Sequence, residues 1–271
     1  MTTLPREPLD EAHHHLVAFE MKSSTLDSVS LSVEGVVASY VATLVQRVRS
    51  TYVAMKQLLL AGHHDEMVLL LRRQLEDSMR LHYLTAHGDE GAALVLGHQR
   101  ERELKVLKQL DRVINNASIS EPARTELKRM AQLRRGRISE IDDTASKLGL
   151  ELEGFPEFHI MAAELGRDRD LMPYASASEV SHSAVSAATD GYVTKEGQEN
   201  HAVQVIGLTS QNPLDRLGYA RAAINTTGLA VMHGLIILGL DSDGLSIGRD
   251  AATRVESLGS LQVRLAQRGS T

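Results

Sequence analysis

The stretch LAVMHGLIILGL, residues 229–240, decides the fold. It can be read as part of a membrane span or as a helix enclosed by protein. A bilayer core needs roughly 20 consecutive apolar residues on one helix. Here there are twelve, and one of them is His233. The span therefore fails, and the segment predicts a buried helix running from Pro213 to Leu240 at the centre of the molecule. A helix apolar on every side must be surrounded by other elements, so the remainder of the chain has to supply them.

Composition says what those elements are. Hydrophobic residues make up 42% of the 271, aromatics only 3%, and tryptophan is absent. Leu, Val, Ile, Met and Ala must fill the core, a palette that favours packed helices over sheets. A chain of this length buries a core without covalent staples. With no cysteine, disulfides, thiolate zinc sites, iron–sulfur clusters and a cysteine nucleophile are excluded. The net charge of −6 argues against non-specific nucleic-acid binding, a local basic patch aside. The N-terminal MTTLPREPLDEAHHH lacks a basic-then-apolar signal pattern. The expectation is a cytoplasmic protein with no membrane segment.

Helical period recurs along almost the whole sequence. Helices are predicted near 8–24, 29–61, 65–87, 90–116, 120–148, 158–166, 171–188, 213–240 and 243–268. In the second, Val33, Val37, Tyr40, Val41, Leu44 and Val48 share one side. Gly62-His63-His64 breaks it, and Asp65 is the expected N-cap of the third. Residues 90–148 read as a charged helical hairpin that projects or covers. Its apolar faces are drawn from Leu104, Leu107, Leu110 and Ile114, and from Met130, Leu133, Ile138, Ile141, Ala145 and Leu148. Ser120 can cap its second arm, with Pro122 in the first turn. TDGYVTKEGQENHAVQVIGL, residues 189–208, loses the helical period and suits a loop or a small hairpin at KEGQ. The last helix reads as weakly amphipathic, able to fray or to dock against a partner. The fold class is all-α: a single domain over 1–271, a bundle of about seven or eight helices, with core helices near 29–61, 65–87, 171–188 and 213–240.

Two segments carry the candidate chemistry. LLLRRQLEDSMRLHYL (69–84) holds Arg72 and Glu76, and YASASEVSHS (174–183) holds Tyr174, Ser178 and His182. Each set has a four-residue step, which places its members along one helix face. The pair resembles the DUF5677 family, largely bacterial all-helical proteins of unassigned function, with an Arg-x-x-x-Glu helix followed by a Tyr-x-x-x-Ser-x-x-x-His helix. The resemblance covers roughly residues 30–240. The chain departs from the family pattern in its long hairpin and in Ser183, where proline is frequent. More distantly it resembles the HEPN-type ribonucleases of bacterial conflict systems.

Arg72 and Glu76 are flanked by Leu69, Leu75 and Met79, and charges beside apolar surface must be paired. The two helices are therefore predicted to pack, with His182 near Glu76. In the functional reading Glu76 orients His182, His182 is general acid or base, and Arg72 holds an anion such as phosphate. Ser178 or Tyr174 positions the substrate or serves as nucleophile. In the structural reading the same side chains form a satisfied network that fixes helix register. The first gives an RNA-directed hydrolase in a stress or phage-conflict setting. The second gives a non-enzymatic interaction or scaffold protein. A homo-oligomer, a dimer first, is expected from the amphipathic hairpin and last helix.

Rival constellations are weaker. Arg80 and His87 have HEPN-like spacing, but among 12 histidines and so many arginines chance supplies such pairs. Glu179–His182 and Glu11–His14 have the Glu-x-x-His step of di-iron bundles, with Glu76 and Glu34 to complete the set. However, Glu179 lies about 100° round the helix from Ser178. His13, His14 and His15 cannot face one ion, and HHDE at 63–66 matches metal ligands only in composition. The basic run RTELKRMAQLRRGR, residues 124–137, could follow a phosphate backbone. It is followed at once by EIDD and lacks stacking aromatics, so a salt-bridged face suits it better. No Gly-rich phosphate loop or nucleophile elbow is present, and the sequence calls for no cofactor or metal.

Overall fold

The computed structural model describes residues 7–28, 35–116, 118–171, 174–175, 178, 193–196, 202–205 and 213–268. Among them run eight α-helices: α1 (Glu7–Ser24), α2 (Val36–Ala61), α3 (His64–Ala86), α4 (Gly91–Ile114), α5 (Glu121–Leu148), α6 (Phe158–Glu164), α7 (Pro213–Ile237) and α8 (Asp241–Arg268). The fold is an all-α bundle. Its one described sheet is an antiparallel hairpin of β1 (Val193–Glu196) and β2 (Ala202–Val205), with Val193 opposite Val205 and Glu196 opposite Ala202. It lies where the sequence loses its helical period. No helix of the described residues is long and apolar enough to cross a membrane.

The chain divides into two compact units. The first contains α1, α2 from Val41 onward, α3, α6, α7 and α8. Its centre is α7, which packs against α3 and α8. No residue from Leu217 to Ile237 is exposed, as an all-round apolar helix requires. Glycines let the neighbours approach. A Cβ at Gly234 would overlap Val45 of α2, and one at Gly228 would overlap Ala251 of α8. On α8, Cβ atoms at Gly244 and Gly248 would stand 2.8 Å from the carbonyl oxygen and 2.5 Å from the sulfur of Met232. Gly62 (φ 86) and Gly239 (φ 76) end α2 and α7 in the left-handed region, which glycine enters without strain. Beyond them His63 N–H donates to Leu58 O at 2.9 Å and Leu240 N–H to Leu235 O at 2.8 Å. These bonds cap carbonyls that the helix itself leaves open.

The last helix corrects the sequence reading. Ile247, Ala251, Leu258, Leu261 and Leu265 are buried. Their spacings put them on one face, and that face packs against α7. The helix is strongly amphipathic, and it belongs to the core. So does α1, whose Leu16 and Phe19 are buried beside Tyr52 of α2. The Tyr52 hydroxyl donates to Leu16 O at 2.9 Å. The start of α2 also differs: the sequence reading begins it at 29, the structure at Val36, after Gly35 at φ 93. α3 starts at His64, so Asp65 sits in its first turn and is not its cap.

The second unit comprises residues 34–40 and 87–157. Within it α4 and α5 pack as the expected hairpin. Ser120 is the N-cap residue and Pro122 lies in the first turn, but the serine hydroxyl makes no capping bond. The predicted apolar faces need correction. Leu110 and Ala145 are buried as expected, but Leu104, Met130, Leu133 and Leu148 are exposed, and Leu94 and Ala131 are buried in addition. On α5 the buried residues are the alanines, the expected Ala145 and the unexpected Ala131, and not the large side chains. Ion pairs also join the arms: Arg100–Asp142 at 2.7 Å, Arg134–Glu103 at 2.8 Å and Arg135–Asp111 at 3.0 Å.

Candidate functional site

On α3 the four-residue step aligns Arg72 and Glu76, and Arg72 Nη2 lies 3.3 Å from Glu76 Oε1. Facing them is the segment after Asp170, whose described residues Leu171, Tyr174, Ala175 and Ser178 are helical. The two meet as the sequence predicts. Arg72 Nε donates to Ser178 Oγ at 3.0 Å and Nη2 to the Tyr174 hydroxyl at 3.2 Å. That hydroxyl donates to Glu76 Oε1 at 3.2 Å, and the Ser178 hydroxyl donates to Tyr174 O at 2.8 Å. Phe158, the first residue of α6, stacks on the Tyr174 ring with centroids 3.9 Å apart. Arg72 Cζ lies 5.3 Å from the same ring's centroid, within cation–π range. His182 lies outside the described residues, and with it the predicted contact to Glu76.

The chemistry of the four described groups follows from these bonds. Burial, then the Glu76 charge, raises the Tyr174 pKa above its usual value. At neutral pH the side chain is a phenol, a donor and not a phenolate nucleophile. Ser178 is held between a guanidinium and a carbonyl. Neither of these two groups can remove its proton.

The sequence reading missed the larger electrostatic unit around this row. Glu76 is approached by Arg73 at 3.8 Å and Arg80 at 4.0 Å as well as by Arg72. The next residue, Asp77, has a side chain only 2% exposed. It accepts Arg47 Nε at 2.8 Å and Nη2 at 2.7 Å, a two-pronged geometry that only arginine offers. Arg80 and Arg73 stand 3.4 and 3.7 Å from it. Four arginines thus gather on two carboxylates, and Arg47, Arg72 and Arg73 keep 33%, 30% and 47% of their side-chain surface in solvent. Arg80, singled out for its spacing to His87, is committed to this cluster. His87 instead stands 3.7 Å from Glu90.

A second polar group sits elsewhere on α3. His82 stacks on His233 of α7, centroids 4.1 Å apart, and its Nδ1 lies 3.5 Å from Arg167 Nη1. Arg167 is paired with Asp170. Burial, then His82 and Arg167, lowers the His233 pKa to about 3; burial, then Arg167, lowers that of His82. Both rings are neutral at physiological pH. Among the described residues no three His, Asp or Glu side chains are gathered as metal ligands. His13 and His14 are exposed. In the basic run of α5, Arg124, Arg129, Arg134, Arg135 and Arg137 all have carboxylate partners.

Comparison with protein families gives a match over much of the chain. The profile described as a family of unknown function, DUF5677, matches residues 38–201, a span holding Arg72, Glu76, Tyr174, Ser178 and His182. No curated protein and no solved structure matches the chain.

Proposed function

The chain belongs to the DUF5677 family, a family of unknown function, and from that premise we propose that the arginine cluster on α3 recognises the phosphate groups of RNA. One observation carries the reading. Among the described residues, the carboxylates paired with Arg47, Arg72, Arg73 and Arg80 are Glu76 and Asp77, and three of the four arginines remain partly in solvent. The surplus positive charge is fixed in place, because Tyr174 and Ser178 hold Arg72 and Asp77 holds Arg47. Phosphate recognition needs guanidinium groups presented in this way.

The reading extends to an RNA-directed hydrolase in a stress or phage-conflict setting. His182, four residues after Ser178 in the sequence, is then the general base. It removes the ribose 2′-hydroxyl proton, the 2′-oxygen attacks the adjacent phosphorus, the P–O5′ bond breaks to leave a 2′,3′-cyclic phosphate, and the departing 5′-oxygen takes a proton from water. Arg72 neutralises the charge that grows on the phosphorus oxygens. Glu76 and Tyr174 hold Arg72, and Ser178 fixes the local backbone.

A second reading is a non-enzymatic scaffold whose cluster only locks the helices. The mutual hydrogen bonding of Arg72, Glu76, Tyr174 and Ser178 favours it. Arg73→Gln separates the two, because Arg73 is the most exposed of the four. Fluorescence anisotropy with a labelled single-stranded RNA, read over a salt series, should show weaker binding. The slope of log K against log salt should become shallower by about 0.7, the value for one lost phosphate contact on a single strand. Unchanged affinity and slope would leave the scaffold. His182→Ala, shown by circular dichroism to be folded, should still bind RNA and lose cleavage.

A further inference from the structure

We propose that a cavity in the first unit, walled by α3, α7 and α8, binds a small organic anion: a carboxylate or phosphate monoester on an apolar body. This site does not depend on the RNA reading. The cavity measures about 350 Å³, at the small end of ligand pockets. Leu71 and Leu75 reach it from α3 and Val255 from α8, and they form its apolar wall. Leu71 and Arg72 are adjacent on α3, so their side chains point about 100° apart. The cavity and the arginine cluster therefore occupy different sides of that helix.

The polar lining is cationic. Arg221 of α7 lines the cavity and donates from Nη1 to Gln262 Oε1 at 2.8 Å, while Gln262 Nε2 is anchored on Leu214 O at 3.1 Å. Its guanidinium is thus positioned by a neutral amide and has no carboxylate partner among the described residues. The Arg221 Nε is buried with no hydrogen-bond acceptor among the described residues, a costly state that a bound anion would relieve. Arg169 also lines the cavity and makes no ion pair among the described residues. The carboxylate present, Asp170, is committed to Arg167. Thr226 lines the same space, is 3% exposed, and makes no side-chain hydrogen bond to the described residues. Two cations with no counter-charge among the described residues, a hydroxyl with no partner among them and an aliphatic wall together fit a ligand with one anionic and one apolar end.

The test uses the full chain and three fluorine-labelled probes: 4-fluorobenzoate, 4-fluorophenyl phosphate and neutral 4-fluorobenzyl alcohol. Binding is read by ¹⁹F line broadening during titration. At least one of the two anions should bind, and the alcohol should bind about tenfold more weakly or worse. The preferred anion identifies the head group. Arg221→Gln should weaken anion binding by about tenfold, Thr226→Val should weaken it less, and Arg72→Gln should leave it unchanged. If Arg221→Gln does not fold, Arg169→Gln carries the same expectation. The proposal is overturned if neither anion binds, if the alcohol binds as tightly, or if the arginine variants retain wild-type affinity. It is also overturned if Arg72→Gln abolishes anion binding, since the probes would then report the arginine cluster. Loss of RNA binding in Arg73→Gln with anion binding intact would keep the two sites distinct.

Discussion

Replacing Asp77 by asparagine should lower stability and raise affinity for RNA, opposite signs from one substitution. The Asp77 side chain is 2% exposed. It accepts two bonds from Arg47 and has Arg73 and Arg80 within 4 Å. Asparagine keeps the shape and one acceptor oxygen but no charge. Breaking a fully buried ion pair costs roughly 3–5 kcal/mol. Arg47 is a third exposed, so water compensates part of its charge and about 2–3 kcal/mol is the better figure. In a protein of this size that corresponds to a fall in Tm of roughly 5–10 °C. The substitution also adds one net positive charge to the cluster and releases Arg47, so RNA affinity should rise by about three- to tenfold at low salt. Thermal unfolding by circular dichroism and RNA anisotropy on the same preparation read both effects. An unchanged Tm would refute the buried pair. A folded variant with weaker RNA binding would refute the surplus-charge reading of the site.

Two further predictions concern the core. Gly234→Ala gains up to about 1 kcal/mol of helix propensity, but its Cβ meets Val45, and overpacking of this kind costs roughly 1–3 kcal/mol. It should destabilise in urea unfolding, and Val45→Ala in the same chain should recover about 1 kcal/mol of coupling; strict additivity would show that the contact is absent. For His233 the folded pKa of about 3 lies below the usual 6.5 of an unfolded chain. The unfolded state therefore takes up the proton first. The contribution to stability is complete above about pH 6.5 and is lost as pH falls towards 3, with a slope approaching 1.4 kcal/mol per unit. His82, shifted the same way, steepens the loss. His233→Phe keeps the ring stack without the titration and should flatten the acid limb; parallel pH profiles for variant and wild type would count against the reading.

How much of this was legible in the sequence differs by feature. The helices were, because Leu and Val recur at helical spacing and because Gly62 breaks the second of them. The start of α2 was not, since one glycine at positive φ, Gly35, ends a pattern that the apolar residues alone would continue. The hairpin's inner face was read in part: Leu110 and Ala145 are buried as expected, but Arg100–Asp142 and Arg134–Glu103 also join the charged arms, so large aliphatics such as Leu133 do not mark the interior there. Arg72, Glu76, Tyr174 and Ser178 were found by their regular steps within single helices. Arg47 lies on a different helix, 30 residues from Asp77, and Phe158 reaches Tyr174 from the start of α6. No periodicity within one segment reports such partners. The cavity at Arg221 depends on where α3, α7 and α8 cross, which is set by three-dimensional packing and has no local signature.

The glycine seam of α7 has a bearing on motion. Gly228 and Gly234 of α7 and Gly244 and Gly248 of α8 leave no room for a Cβ against the helices they face, so along this seam α7 meets its neighbours as soon as it slides or rolls. The same helix carries Arg221 and Thr226 at the cavity and His233 at the imidazole stack. A disturbance at one of these points therefore acts on a helix that the seam ties to α8, and the two are expected to respond together.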